Sequence, residues 1–264
     1  MNAVLYEIRQ NVAILKLNQP ESLNAVNPEM TDALLEATVR AANDPAARAV
    51  LVCAQGKHFM AGGDLKWFQE QLALPPATCG KNYEILLEKV QKLALEFQQM
   101  EKPVIVAARG AVAGFGLSLM VAADLVFAAE DAYFTLAYSN IALSPDGGSS
   151  WTLPRLAGLK KAMEIALLGE RFDAAQAREM GLVNRLCPAG QLDEEAEKLA
   201  RRLALGPAKA LAKTKALINR SFDVSFKEQL LAEQRSFVDC AAHPDFAEGL
   251  AGFFEKRKPV YNRA

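Results

Sequence analysis

Histidine and cysteine are scarce in this 264-residue chain, which has two His and only Cys53, Cys79, Cys187 and Cys240 as thiols. No two of these cysteines form a Cys-x-x-Cys pair, so neither a disulfide framework nor a zinc site is expected, and a reducing cytoplasm is the expected compartment. An excess of either charge is also missing, with 30 Lys+Arg against 31 Asp+Glu. Without a general positive field, nucleic acid and acidic membrane surfaces are not expected partners, and an anionic ligand must be met by a local patch. No apolar run of about 18 residues without a charge occurs, so no membrane span is expected. Met1–Gln10 carries Glu7 and Arg9 among alternating apolar residues and lacks the pattern of an export signal. What is present is a chain 51% hydrophobic and 23% charged, enough for one large domain, or a domain with a helical extension, around a sizeable core.

Hydrophobic spacing gives the order of elements. Leu5–Ile8 and Val12–Leu17 read as strands joined by a turn at Gln10-Asn11. Asn27-Pro28-Glu29 is a helix start, followed by Met30, Leu34, Thr38 and Ala41 at helical spacing. Val50–Ala54, Val104–Ala108 and Leu125–Ala129 read as buried strands, and the first two flank a helix over Tyr83–Met100. Strand, helix, strand implies parallel pairing through a right-handed crossover. Pro75-Pro76 predicts an irregular loop across Leu72–Tyr83. Lys160–Leu168 reads as a helix stopped by Gly169. From about Asp193 onward the pattern is helical. The expected organisation is an α/β core over residues 1–200 and a helical region over 201–264.

Two glycine-rich segments sit where a strand gives way to a helix. They are Phe59-Met60-Ala61-Gly62-Gly63-Asp64-Leu65 and Arg109-Gly110-Ala111-Val112-Ala113-Gly114-Phe115-Gly116. Backbone amides at such turns have no internal partner, and two that converge can hold a carbonyl oxygen as it gains charge. Alone, each turn is more often packing than catalysis. Neither is a phosphate-binding loop, and Gly110, Gly114 and Gly116 lack the spacing of a dinucleotide fingerprint.

These segments do not stand alone. Together with Pro20-Glu21-Ser22-Leu23-Asn24-Ala25, Lys102-Pro103-Val104-Ile105-Val106-Ala107, Ala123-Asp124-Leu125, Gly147-Gly148, Leu153-Pro154-Arg155 and Ala177-Arg178-Glu179-Met180-Gly181-Leu182-Val183, they resemble the enoyl-CoA hydratase/isomerase (crotonase) family. The likeness runs from about residue 5 to Phe253-Phe254-Glu255-Lys256-Arg257. It implies the ClpP/crotonase-like fold, an α/β spiral of ββα units with a C-terminal helical trimerisation region, and a homotrimer or a hexamer of two trimers. It also implies an acyl-CoA thioester as substrate, coenzyme A entering as part of that substrate, and no separate cofactor or metal. By motif position the resemblance assigns the oxyanion-holding amides to Gly63 and Phe115. It assigns adenine contacts to the backbone around Ala61 and Gly63, with Lys66 or the Lys256-Arg257-Lys258 cluster for the phosphates.

The family's hydratases use two glutamates, and the matching positions here are Ser118 and Tyr138. Water addition needs one group to activate water and another to manage the α-carbon proton, so the usual hydratase mechanism is not expected. One carboxylate remains, Asp146 in Ser144-Pro145-Asp146-Gly147-Gly148, a position where non-hydratase members carry an acid. The stretch from Phe134 to Gly148 most resembles the ring-epoxide and Δ3,Δ2-enoyl-CoA isomerases of phenylacetate breakdown, which implies a place in fatty-acid or aromatic-acid metabolism. The expectation is an isomerase in which Asp146 moves a proton, with Phe115, Ser118, Tyr138 and Trp151 lining the substrate pocket. A hydratase with a nonstandard catalytic set and a catalytically silent CoA-binding protein are the alternatives. Outside that resemblance, Pro-Asp-Gly-Gly is equally an ordinary turn. Asp64 reads as a capping acid, Asp124 as the anchor of a strand start, and His58 and His243 receive no catalytic role.

Overall fold

The computed structural model describes residues 2–261. Strands β1 (Val4–Arg9) and β2 (Val12–Leu17) form an antiparallel hairpin, in register from Val4 opposite Leu17 to Arg9 opposite Val12. Gln10 and Asn11 both take positive φ, 50° and 63°, as a two-residue turn matching the strand twist requires. Helix α1 (Pro28–Asn43) starts where the sequence predicts, with the Asn27 side chain accepting from the Met30 amide at 2.9 Å.

Strands β3 (Ala49–Ala54) and β4 (Val104–Ala108) are buried along their whole length, which is why they read as unbroken apolar runs. Helices α2 (Leu65–Leu72) and α3 (Pro76–Gln99) lie between them in the chain. Here the structure corrects the sequence reading, because α3 begins at Pro76 rather than Tyr83 and the irregular stretch shrinks to residues 73–75. Pro76 occupies the first helical position, where its fixed φ suits the helix and its missing N–H would have had no partner.

The chain continues through β5 (Ala111–Ala113), α4 (Phe115–Val121), β6 (Leu125–Ala129), β7 (Tyr133–Thr135), α5 (Ser149–Ala157), α6 (Leu159–Leu168), β8 (Phe172–Asp173), α7 (Ala174–Glu179) and β9 (Arg185–Cys187). Six strands form one sheet in the order β1-β2-β3-β4-β6-β9, parallel except for the first pair. A second sheet has the order β5-β7-β8. Gly169, in the left-handed region at φ 61°, ends α6 as expected.

Helices α8 (Leu192–Ala204), α9 (Ala208–Arg220), α10 (Phe226–Ala241) and α11 (Pro244–Phe254) complete the described chain. Position 200 falls inside α8, whose buried stripe Leu192, Ala196, Ala200 and Ala204 packs on the large sheet, so the chain leaves the core only after this helix. Helix α9 is fastened by one buried cation. Lys215 Nζ donates to the carbonyls of Phe97 at 2.8 Å and Lys102 at 3.2 Å and pairs with Asp124 Oδ2 at 2.8 Å. The same Asp124 oxygen accepts the Val104 amide at 2.7 Å, so this acid anchors the start of β4 and a helix of the C-terminal region at once. Phe226, Phe237, Phe253 and Phe254 of α10 and α11 stand exposed on the single chain. Among the described residues no helix is long and apolar enough to cross a membrane.

Candidate active site

The segment after β3 and the end of β5 bring two turns to one place. Met60 is laced to β5, its amide donating to the Ala111 carbonyl at 3.2 Å and its carbonyl accepting the Ala113 amide at 2.9 Å. On the other flank, the Gly62 carbonyl accepts the Val26 amide at 2.7 Å and the Asp64 amide donates to the Val26 carbonyl at 2.9 Å. Successive amides of an extended segment point to opposite sides. Gly63, between those two bonds, therefore turns its N–H away from Val26, and among the described residues no acceptor takes it. Asp64 ends the turn as the cap of α2, its Oδ1 accepting the Lys66 amide at 3.0 Å and the Trp67 amide at 3.3 Å.

The second turn presents the amide of Phe115, first residue of α4, which likewise has no acceptor among the described residues. Gly114 sets it up with φ 52° and ψ −122°, a backbone shape that side chains resist. The two turns touch, since a Cβ on Gly114 would lie 3.3 Å from the Gly62 Cα. Two unclaimed amides, of Gly63 and Phe115, thus belong to neighbouring, backbone-locked turns.

The acid arrives from a third segment. Gly147, at φ 59°, is pressed against α4 so closely that a Cβ there would meet the Phe115 ring at 2.7 Å and Ser118 Cβ at 3.0 Å. Asp146 is consequently held beside the start of α4, with its carbonyl accepting from the Ser149 amide at 3.3 Å and hydroxyl at 3.1 Å. Its carboxylate Oδ1 accepts a hydrogen bond from the Tyr138 hydroxyl, and Tyr138 lies 3.4 Å from the hydroxyl of the fully buried Ser118. Burial raises the Asp146 pKa above the ordinary carboxylate range, while the hydrogen bond from Tyr138 partly opposes it. Burial raises the Tyr138 pKa as well, reinforced by the Asp146 charge, so the phenol keeps its proton.

The remaining site expectations divide. Ser118, Tyr138, Phe115 and Asp146 come together, but the Phe115 ring is packed into the core rather than left open. Trp151, on α5, carries the Arg155 guanidinium 3.7 Å above its ring and lines a cavity of about 740 Å³ with Gly147, Gly148, Ile218 and Phe222. Ala61 donates its amide to the Leu23 carbonyl at 3.1 Å. Lys66 is exposed in the first turn of α2, beside the Gly63 turn. Within the C-terminal basic run, Arg257 pairs with Glu248 and Glu255, at 2.6 Å and 2.5 Å. His58 Nδ1 accepts the Ala111 amide at 3.0 Å and His243 caps α11, both structural.

Sequence reasoning missed the wall beside Gly63. Phe68, whose ring rests on that glycine, packs with Trp67 and Tyr83 at centroid separations of 5.7 Å and 5.6 Å. No local spacing signals it, because Trp67 and Phe68 lie on α2 and Tyr83 on α3, and the three rings meet only where the two helices pack. The direct bond between Tyr138 and Asp146 was missed likewise, since it depends on how a loop folds back rather than on any local pattern.

Residues 7–264 match the enoyl-CoA hydratase/isomerase family model. A Rhodobacter capsulatus protein named a probable enoyl-CoA hydratase is 35% identical over 98% of both chains. The 1,2-epoxyphenylacetyl-CoA isomerase of Escherichia coli is 35% identical over 99% of this chain and 98% of its own. The crystal structure of an enoyl-CoA hydratase from Polaromonas superposes with a TM-score of 0.92 at 36% identity, covering 98% of this chain and 99% of the other. The fold is that of the crotonases, and the chain belongs to the enoyl-CoA hydratase/isomerase family.

Proposed function

We propose that this protein is an enoyl-CoA isomerase, moving a double bond along an acyl-CoA thioester by a 1,3-proton shift with Asp146 as the base. The observation that carries the reading is the placement of a half-buried carboxylate against α4, bonded to Tyr138 near Ser118; the family resemblance sets a hydratase's two acids at 118 and 138. In this reading the thioester oxygen lies between the Gly63 and Phe115 amides. Asp146 takes a proton from C2 of a 3-enoyl group, and the C–H electron pair spreads into the carbonyl to give a dienolate. Both amides are fixed before charge develops, so they stabilise the oxyanion without reorganising. The protonated Asp146 then returns the proton to C4, leaving the conjugated 2-enoyl thioester with no water added. Its raised pKa makes the carboxylate a stronger base for this weak carbon acid.

Relatives of equal identity carry a hydratase name and an isomerase name. The second reading is therefore hydration, with Asp146 directing a water. Lys66 is the cation proposed for a CoA phosphate, and the backbone at Ala61 and Gly63 for the adenine. The exposed aromatic faces of α10 and α11 support burial between copies in a trimer or hexamer, which a sedimentation mass would establish.

The test of the main reading is Asp146→Asn. Double-bond migration should fall by about a hundredfold to ten-thousandfold while CoA-ester binding is retained. Turnover near the wild-type rate would refute the assignment.

A further inference from the structure

We infer that Tyr138 is a positioning residue that holds Oδ1 of Asp146 and so leaves Oδ2 as the oxygen that meets the substrate; this rests on Asp146 being the base. The phenol has one proton, and it is spent on Asp146 Oδ1. At the 3.4 Å contact between Tyr138 and Ser118 the donor must then be Ser118, which makes a directed chain from the Ser118 hydroxyl through the Tyr138 hydroxyl to the carboxylate. Among the described residues no other group donates to the Asp146 side chain.

Both ends of the chain are fixed by backbone. Tyr138 follows Ala137, held at φ 53°, and its carbonyl accepts the amides of Ile141 at 3.1 Å and Leu143 at 3.0 Å. Ser118 is fully buried within α4, and its amide donates to the Gly114 carbonyl at 3.2 Å. A carboxylate pinned at one oxygen loses rotation about its χ2 bond, so its other oxygen can face C2 and then C4 without searching. Misplacement of a reacting group by about 1 Å can cost a hundredfold, which is the order of effect such a tether can supply. The same bond stabilises the ionised acid, and the Ser118 donor strengthens it by polarising the phenol. The tether therefore trades some basicity for aim.

The experiment is the pH dependence of double-bond migration with a 3-enoyl-CoA, measured in wild type, Tyr138→Phe, Ser118→Ala and Asp146→Asn, with CoA-ester affinity and thermal melting recorded for each. Tyr138→Phe should lower kcat by about tenfold to a hundredfold, leave affinity within a few-fold, and move the acid limb up by about one pH unit, because the carboxylate loses a donor that favoured its charge. Ser118→Ala should move the limb in the same direction by less. It remains a test if Tyr138→Phe does not fold, and an unmoved limb in Ser118→Ala would then overturn the inference. A fall in kcat with the limb unmoved would mean a packing role only, and a moved limb with kcat unchanged would mean aim is not limiting; each overturns the inference. Asp146→Asn separates the two levels. If that variant still turns over, the functional reading fails whatever Tyr138 does, whereas an inactive Asn variant beside a wild-type-like Phe variant removes the tether alone.

Discussion

The two amide-bearing turns and the Asp146 loop converge on the same short helix, yet they are made of different material. The turns are pure backbone, with Gly63 positioned by ladder bonds to Val26 and the Phe115 amide by the conformation of Gly114. The loop contributes a side chain whose aim depends on other side chains, Tyr138 and through it Ser118. A backbone device of this kind serves any reaction that puts charge on a thioester oxygen. The acid and its partners decide what happens next. Binding and oxyanion stabilisation can thus stay constant across a family while the chemistry changes by a few substitutions at positions such as 118, 138 and 146.

Breaking the backbone half should have the broadest effect. Gly114→Ala places a methyl group 3.3 Å from the Gly62 Cα at a φ of 52°, so the two turns must part. Loss of an oxyanion donor costs about a hundredfold to a thousandfold in kcat. In Gly114→Ala this loss should appear in whichever acyl-CoA reaction the protein carries out, because each such reaction puts charge on the thioester oxygen. Initial rates on 3-enoyl- and 2-enoyl-CoA would show it. Asp146→Asn, by contrast, should remove only the reactions that need the base.

A smaller effect separates the halves by stability. Because the folded Asp146 pKa is raised, its carboxyl form favours the native state at low pH, and that contribution is lost as pH rises through the folded pKa. Asn carries no charge at any pH. Asp146→Asn should therefore melt above wild type at neutral pH, and the gap should close below the ordinary aspartate pKa of about 3.9. Thermal melts across that range would check the sign. Gly114→Ala should show no such pH-dependent gain.

The same contrast explains how much could be read in advance. Central strands, the β1–β2 turn, the Asn27 cap and the Gly169 stop follow from local rules, and all four are found in the structure. The two glycine-rich turns were legible because glycine clusters at a strand end have a local physical cause, but the Gly63 and Phe115 amides were singled out only through family likeness. Asp146 was nominated only through family likeness, since Pro-Asp-Gly-Gly alone reads as a turn. Its bond to Tyr138 was invisible, as it joins side chains from separate segments brought together by Gly147 packing on α4. Pro75-Pro76 misled because proline breaks a helix interior yet suits its first turn.

The central claim is that one tethered carboxylate moves a proton and adds no water. Its most direct test is to give the wild-type protein 3-enoyl-, 2-enoyl-, dienoyl- and aryl-CoA esters in turn and to record both product mass and conjugation. The account predicts conversion of a 3-enoyl ester to the conjugated 2-enoyl ester at unchanged mass in ordinary water. Efficient gain of one water by a 2-enoyl ester, with the 3-enoyl ester left untouched, would contradict it.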